Sequence, residues 1–365
     1  MIDFGKLLLV IDIGTFLAAW AAVLTLIWLA PRIGLLDRPN ERSSHTRVTP
    51  RGGGLGFVIL VGLMLGAFLV WLTVELAADS GENIISALAA YIGPAMFVAA
   101  ISLRDDFKSL GPGLRFLCQL VAAVIAALGV ASFREVSLPI VGVVDSRWFG
   151  IGLTIVWIVG MTNVYNFMDG IDGIAGVQGA IAGLAWAMAG AWLGSPVLAM
   201  LGLTLAGGCA GFLVHNWPPA EIFMGDVGSA FLGFSFAVVP LIALRFPLPE
   251  KLPQVAGLLP IFSLLAVWPF VGDGFYTFQR RLFRGEQVWK PHRTHLYQRL
   301  VLSGWSHARV STLYAIWCGV SAQIGLFCLK SIIDVSTTFG YMIISLAGMV
   351  LLTRGRERKA RKLHA

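Results

Sequence analysis

The segment NVYNFMDGIDGIAG, residues 163–176, sets two amides and two carboxylates three residues apart, at Asn163, Asn166, Asp169 and Asp172. That spacing puts neighbours on adjoining faces of a helix, while Gly170 and Gly173 permit backbone turns and close ligand approach. Asn and Asp carry hard oxygens of the kind Mg²⁺ takes. A plain helix cap accounts for one of the four groups and leaves three unexplained. Another carboxylate pair, Asp105-Asp106 in SLRDDFKSLGPG, precedes a Gly-Pro-Gly run at 111–113. Adjacent residues on a helix diverge by about 100°, so both reach one atom only where the helix is ending. A solvated loop with Arg104 and Lys108 as partners is the plainer reading of that pair. In EIFMGDVGSAFLG, Asp226 lies between Gly225 and Gly228. Asp226 or Ser229 can serve there as an ordinary N-cap, and a helix N-terminus with nearby glycines also takes anions.

Two basic segments accompany these carboxylates. One runs from Asp37 to Phe57 and contains His45, Arg51 and the glycines 52–54; the other, RRLFRGEQVWKPHRTHLYQRL, contains Arg280, Arg281, His292, Arg293, His295 and Arg299. Arginines alone would be expected of any loop at a membrane surface. The histidines and the glycine run exceed that need. Carboxylates and amides to hold a divalent cation, basic groups to hold phosphates, and an apolar scaffold together fit phosphoryl transfer to a lipid phosphate.

The elements that must position these groups are apolar. Of 365 residues, 57% are hydrophobic and only 13% charged, about half the charge fraction of a soluble domain. A bilayer span needs roughly 20 mostly apolar residues. Eleven runs qualify, at 7–30, 53–76, 84–103, 114–131, 148–164, 174–193, 197–215, 230–246, 255–279, 308–329 and 336–353. The expected fold is therefore an all-α polytopic membrane protein of about eleven transmembrane helices. A single transmembrane domain occupies 1–353, and a basic tail 354–365. The first run is too long for a signal-peptide core and reads as a retained helix. Cys118, Cys209, Cys318 and Cys328 fall inside apolar runs and read as small buried hydrophobes.

With eleven crossings, the loops 31–52, 104–113, 165–173, 216–229 and 280–307 share one face with the C-terminal tail. With flanking residues, 5 Lys and Arg belong to the first of these, 3 to the second, 7 to the last and 6 to the tail, or 21 of the chain's 27. The positive-inside rule places these loops in the cytoplasm and the N-terminus outside. The net charge of +7 follows from this asymmetry and from attraction to anionic headgroups, so no nucleic-acid partner is needed. All the candidate carboxylates, amides and histidines named above fall on that same face, and an active site built from cytoplasmic loops and helix ends is expected.

At these residues the chain resembles the polyprenyl-phosphate N-acetylhexosamine-1-phosphate transferases of glycosyltransferase family 4. That family includes the initiators of enterobacterial common antigen, O antigen and teichoic acid, and the phospho-MurNAc-pentapeptide translocase. The likeness covers roughly 31–310, through the His45-to-Gly54 loop, Asp105-Asp106, the signature at 163–173, Gly225-Asp226, Asp273 and the basic fifth loop. NVYNFMDGIDGIAG is similar to the O-antigen branch. The resemblance implies transfer of an N-acetylated sugar 1-phosphate from a UDP-sugar to undecaprenyl phosphate in the bacterial inner membrane, with release of UMP. It implies a metal cofactor, Mg²⁺ or alternatively Mn²⁺, held by Asp226 and Asn166. It makes Asp105 or Asp106 the candidate base, beside Asp226 as a catalytic residue. Asn163, Asp169 and Asp172 belong to the nucleotide or diphosphate pocket, and His45, Arg51, His292, Arg293 and His295 to the phosphate contacts. The implied donors are 6-deoxy sugars such as UDP-N-acetylfucosamine or UDP-N-acetylquinovosamine, with UDP-GlcNAc the alternative. A homodimer is compatible with the family.

The chain departs from the family where common-antigen and teichoic-acid initiators carry His-x-His-His. Here the run is HLYQ, so only His295 matches, with His292 and Arg293 as candidate substitutes. The translocase's triple histidine is absent, which argues against a peptidoglycan precursor. A secondary transporter would place its polar groups at the bilayer midplane in repeated halves, whereas these cluster at one face. CDP-alcohol phosphotransferases and aspartate-rich prenyltransferases need further spaced aspartates that this chain lacks after DGIDG.

Overall fold

Each of the expected apolar runs forms helix in the computed structural model, which describes residues 4–39, 47–75, 82–245, 254–287 and 292–364. In chain order the helices are α1 (Phe4–Ile33), α2 (Gly54–Glu75), α3 (Glu82–Phe107), α4 (Pro112–Gly129), α5 (Arg147–Met168), α6 (Ile174–Trp192) and α7 (Pro196–Asn216). After these come α8 (Gly225–Ala243), α9 (Val255–Ala266), α10 (Trp268–Leu282), α11 (Leu296–Leu302), α12 (His307–Leu329) and α13 (Val335–His364). Nine of the described helices are long and apolar enough to cross a bilayer, or ten if α9 and α10 count as one broken span. The apolar stretch of α2, Gly54–Val70, is shorter. Of the expected runs one is thus broken and one is shorter in its described apolar part, and the protein is a polytopic α-helical membrane protein.

Residue chemistry explains where the helices start and stop. Pro112 and Pro196 open α4 and α7 at positions where a missing N–H costs nothing. Ser195 and Ser306 cap α7 and α12 by accepting from Leu198 N and Arg309 N, each at 3.3 Å. The expected single helix over 255–279 is broken, because α9 and α10 meet at 76°. Val267 has left helical geometry there, and Pro269 has no N–H to return to α9.

Small residues set the packing. A Cβ on Gly183 would come within 2.6 Å of Ala206 N, and one on Gly202 within 2.4 Å of Ala187 N, so α6 and α7 touch backbone to backbone. Close approach of this kind, rather than burial of apolar surface, drives helix association in lipid. The centre of the bundle is α8, which is buried on all sides.

Four helix ends differ from expectation in ways that move the candidate residues. Helix α3 runs on to Phe107 and α5 to Met168, so Asp105, Asp106, Asn163 and Asn166 are helical. Helix α8 begins at Gly225 rather than 230, which puts Asp226 in its first turn. Helix α13 continues through the basic tail to His364. Two short antiparallel hairpins were not foreseen. They pair β1 (Leu36–Asp37) with β2 (Thr49–Pro50), and β3 (Glu135–Leu138) with β4 (Gly142–Asp145). The first hairpin lies at the candidate-site end, where Phe223 N donates to Pro50 O and Gly53 N to Phe223 O, each at 2.9 Å. The second lies at the opposite end.

Candidate active site

The first turn of α8 is held by a carboxylate from another helix. Asp106, on the last turn of α3 and only 5% exposed, accepts from the backbone amides of Asp226 at 3.1 Å and Val227 at 3.0 Å. Helix N-termini leave such amides unpaired and positive, so Asp106 does across space what an N-cap does within a chain. Gly225, at φ +76, is required there, since a Cβ would meet Asp106 Oδ2 at 2.9 Å. Arg51 lies at the rim, its Nε 3.9 Å from Asp106 Oδ1.

Asp105 turns the other way, as helical neighbours must. It accepts from Leu110 N and from Arg115 Nη1, the latter at 2.7 Å. The same Arg115 nitrogen reaches Asp226 Oδ2 at 3.4 Å. The other Asp226 oxygen accepts from Asn166 Nδ2 at 3.0 Å, and that amide also donates to Ser229 Oγ at 3.0 Å. One turn earlier, Asn163 donates to Gln119 Oε1 at 2.6 Å and to Val159 O at 2.8 Å. Asp226 is therefore oriented from two sides, by Arg115 and by Asn166.

Asp169 ends α5 and is half-buried, and its carboxylate has no hydrogen-bond partner among the described residues. Burial, and then the carboxylates of Asp226, Asp106 and Asp172, push its pKa up to about 8. Asp172 has the opposite environment. Burial alone would raise it, but the hydrogen bond and charge of His307, 3.2 Å away, and the Ala220 amide hold it below the usual carboxylate range. It tethers the signature loop to α12 and to the 217–223 loop.

Helix α11 is also capped from a distance. Asp273 of α10 is fully buried and accepts from Leu296 N at 2.8 Å, Tyr297 N at 3.2 Å and the Tyr314 hydroxyl at 2.6 Å. The His295 ring, with Nδ1 at 3.3 Å, is fixed on the same carboxylate. His292 stacks near it with ring centroids 5.0 Å apart. Burial, then His295 and Arg281, push the pKa of His292 down to about 4, so it is neutral at pH 7.

A polar chamber of about 590 Å³ collects these groups, with Arg115, Asn163, Asn166, Asp226, His292 and His295 on its walls. A second cavity of about 680 Å³, almost wholly apolar, runs between α5 and α10 and shares Phe167, Phe278, His292 and His295 with the first. The fold thus brings five of the sequence-chosen residues, Asn163, Asn166, Asp226, His292 and His295, onto the wall of one chamber, with Asp105 and Asp106 behind Arg115 and the first turn of α8. Asp172 turns away toward His307, Arg293 is half-buried on the loop before α11, and His45 lies outside the described residues.

In this structure the expected base and metal-ligand residues are engaged with one another and with backbone. Both oxygens of Asp106 are taken by amides, and Asp105 is paired with Arg115, so neither is a free base. Asn166 Nδ2 donates to Asp226 Oδ1, so in this structure the amide orients that carboxylate. Among the described residues no group of three or more His, Cys, Asp or Glu side chains is arranged to hold a metal. Sequence reasoning missed Arg115 and Gln119, which line the chamber together with Gln298 of the HLYQ run. Arg115 and Gln119 are polar at i and i+4 on an otherwise apolar helix, a signal that was available.

Comparison with known proteins adds an independent result. The model of glycosyl transferase family 4 matches residues 88–244. The chain is 30% identical over 332 residues to a probable undecaprenyl-phosphate N-acetylglucosaminyl 1-phosphate transferase of Bacillus subtilis, covering 88% of this chain and 87% of that one. It is 33% identical over 313 residues to the decaprenyl-phosphate N-acetylglucosaminephosphotransferase of Mycobacterium tuberculosis, covering 80% and 76%. With the phospho-N-acetylmuramoyl-pentapeptide-transferase of Latilactobacillus sakei it shares 27% over 325 residues, covering 83% and 95%.

Proposed function

The chain belongs to the polyprenyl-phosphate N-acetylhexosamine-1-phosphate transferases of glycosyl transferase family 4, and from that premise we propose that it joins a UDP-linked N-acetylated sugar 1-phosphate to undecaprenyl phosphate, releasing UMP. The observation that carries this reading is the pair of joined cavities. The polar chamber suits the phosphates and the apolar groove suits a polyprenyl tail, with Phe167, Phe278, His292 and His295 at the junction.

The acceptor is a phosphate monoester whose second pKa near 6 leaves it mostly dianionic at pH 7. Its oxygen attacks the β-phosphorus of the nucleotide sugar, the bond from that phosphorus to the bridging oxygen breaks, and UMP leaves with the electron pair. No proton has to be removed. This agrees with carboxylates 105 and 106 being engaged in holding Arg115 and α8. Positioning and charge neutralisation carry the rate. Arg115 offers a guanidinium at the chamber wall, and His295, oriented by Asp273, offers its second ring nitrogen.

A divalent cation would meet Asp226 on the chamber wall, and Asp169, outside the lining, lies close enough to feel the charge of Asp226. Asp169 carries an unpartnered carboxylate facing the field of Asp226, and Mg²⁺ is commonly held by one or two carboxylates plus substrate phosphates. In this reading Asp226 and Asp169 hold Mg²⁺ or Mn²⁺, and Asn166 keeps Asp226 in place. The ion supplies positive charge to the diphosphate oxygens.

The finer assignments rest on sequence. The signature at 163–176 supports a first step in O-antigen or other lipopolysaccharide assembly, with UDP-N-acetylfucosamine or UDP-N-acetylquinovosamine as donor. The names of the Bacillus and Mycobacterium relatives favour N-acetylglucosamine instead. Tyr297 is fully buried and cannot line the donor pocket, whereas Gln298 does line the chamber. The distribution of Lys and Arg supports a cytoplasmic site in the inner membrane. Purified protein with undecaprenyl phosphate, Mg²⁺ and a panel of UDP-sugars tests the reading by UMP release. No UMP from any UDP-N-acetylhexosamine overturns it. Competition between UDP-N-acetylfucosamine and UDP-GlcNAc decides the donor.

A further inference from the structure

The end of the bundle opposite the candidate site holds few cations, and three of them converge. Only six of the 27 Lys and Arg lie outside the loops grouped above, namely Lys6, Arg134, Arg147, Arg245, Lys251 and Lys330. Arg134, Arg147 and Arg245 line one cavity of about 410 Å³, between the end of α4, the start of α5 and the end of α8. The positive-inside asymmetry does not account for arginines gathered at this end. Among the described residues Glu135 is the one carboxylate on the cavity wall, against three arginines. Asp145, the strand partner of Glu135, is not part of the lining. None of the three arginines forms an ion pair with a described residue. Arg245 instead caps α4, donating from Nε to Val130 O and from Nη2 to Gly129 O at 3.2 Å.

The surroundings of the cavity are apolar and exposed. Trp148 and Phe149, next to Arg147, are 79% and 54% exposed. At the turn between β3 and β4, Ile140 is fully exposed with φ +70, a left-handed conformation that β-branched residues avoid. Val141 and Val143 beside it are 70% and 57% exposed. An exposed aromatic pair at the end of a membrane helix is the mark of the bilayer interface. Arginines at that depth reach the headgroup layer along their apolar stems.

We propose that this cavity binds the phosphate of an anionic membrane phospholipid, with Arg134 and Arg147 as the anion-holding groups. The Trp148-Phe149 pair lies among its acyl chains and glycerol, and the exposed hairpin stands at the headgroup surface with its tip in water. The lipid is the favoured source over free phosphate because a soluble ion gives that aromatic pair nothing to cover it. The site is independent of the transferase reading and lies at the other end of the helices.

Native mass spectrometry of the full-length protein, released from nanodiscs of phosphatidylglycerol or phosphatidylcholine, tests it. Phosphatidylglycerol adducts should outlast phosphatidylcholine adducts. An R134Q/R147Q double variant should bind phosphatidylglycerol about thirtyfold more weakly, at roughly fivefold for each guanidinium removed near a membrane surface. E135Q, which removes the one carboxylate among the described lining residues, should bind more tightly, a gain that misfolding cannot produce. UMP release at the far end should be unchanged in all three proteins. Equal retention of the two lipids, or an unaltered double variant, overturns the proposal. Displacement of the lipid by millimolar inorganic phosphate overturns the lipid as the ligand.

Discussion

Arg115 touches both Asp105 and Asp226, but the two carboxylates have different surroundings and should respond differently to neutralisation. Asp226 faces the chamber and is aimed by Asn166, whereas Asp105 also accepts from Leu110 N outside it. Asp226→Asn should leave a folded protein and lower kcat by about a hundredfold or more, the usual cost of losing a charge that organises a transferring phosphate. Asp105→Asn keeps an acceptor for Leu110 N and should lose only about tenfold, on the order of one hydrogen bond. UMP-release rates of the two purified variants check this, and equal losses would put Asp105 in contact with substrate. His292 gives a prediction of another kind. Its folded pKa of about 4 is below the ordinary 6.5, so between those values the unfolded chain binds a proton that the folded one does not. The stability contributed by the neutral ring is complete above about pH 6.5 and is lost as pH falls toward 4. Because the ring is only half-buried, the effect is moderated by solvent. His292→Gln should flatten the fall of Tm across that window, and an identical slope would show that the ring does not titrate there.

Helix ends, rather than helix middles, build the chamber, and that decided what the sequence could reveal. Runs of Leu, Val, Ala and Ile announce spans because apolar length is sufficient to read them. The ends depend on tertiary partners. Gly225 starts α8 because Asp106, more than a hundred residues earlier, caps it. The break between α9 and α10 was foreshadowed only by Pro269 inside an otherwise continuous apolar run. Asp169 and Asp172 have the same residue type and looked equivalent, but packing gives one no partner and the other His307. The contact between α11 and the signature loop was also invisible, since in the sequence Tyr297 is only a departure from the histidine of the family motif. It is instead a strut whose hydroxyl donates to Phe167 O at 3.1 Å. A Cβ on Gly170 would meet that hydroxyl at 2.1 Å. Gly170→Ala should therefore push α11 away from the loop and lower both Tm and kcat. Tyr297→Phe, which removes the obstructing oxygen, should restore part of both in the double variant. A double-mutant cycle with no coupling would mean that the loop and α11 move independently.

Across the described residues, every group assigned to the transfer chemistry sits at one end of the bundle, and the β3–β4 hairpin sits at the other. Orientation in the membrane is thus one variable that fixes the location of the site, of UMP release and of the opposite arginine cavity together. The proposed orientation follows from charge, since 21 of the 27 Lys and Arg belong to the site end or the continuation of α13. Two exposed positions report it directly. Val141 stands at the hairpin tip, 70% exposed, and Arg284 is exposed just after α10. With Cys118, Cys209, Cys318 and Cys328 replaced by alanine, Val141→Cys in intact cells should react with a membrane-impermeant maleimide. Arg284→Cys should react only after the membrane is permeabilised. Each variant must retain UMP release, which ties the labelling pattern to the working fold. The reverse pattern would place the chamber on the outer face, where a UDP-sugar made in the cytoplasm could not reach it. The transfer chemistry would then have to be reassigned to another donor, because the joined polar and apolar cavities cannot be inverted separately from the helices that form them.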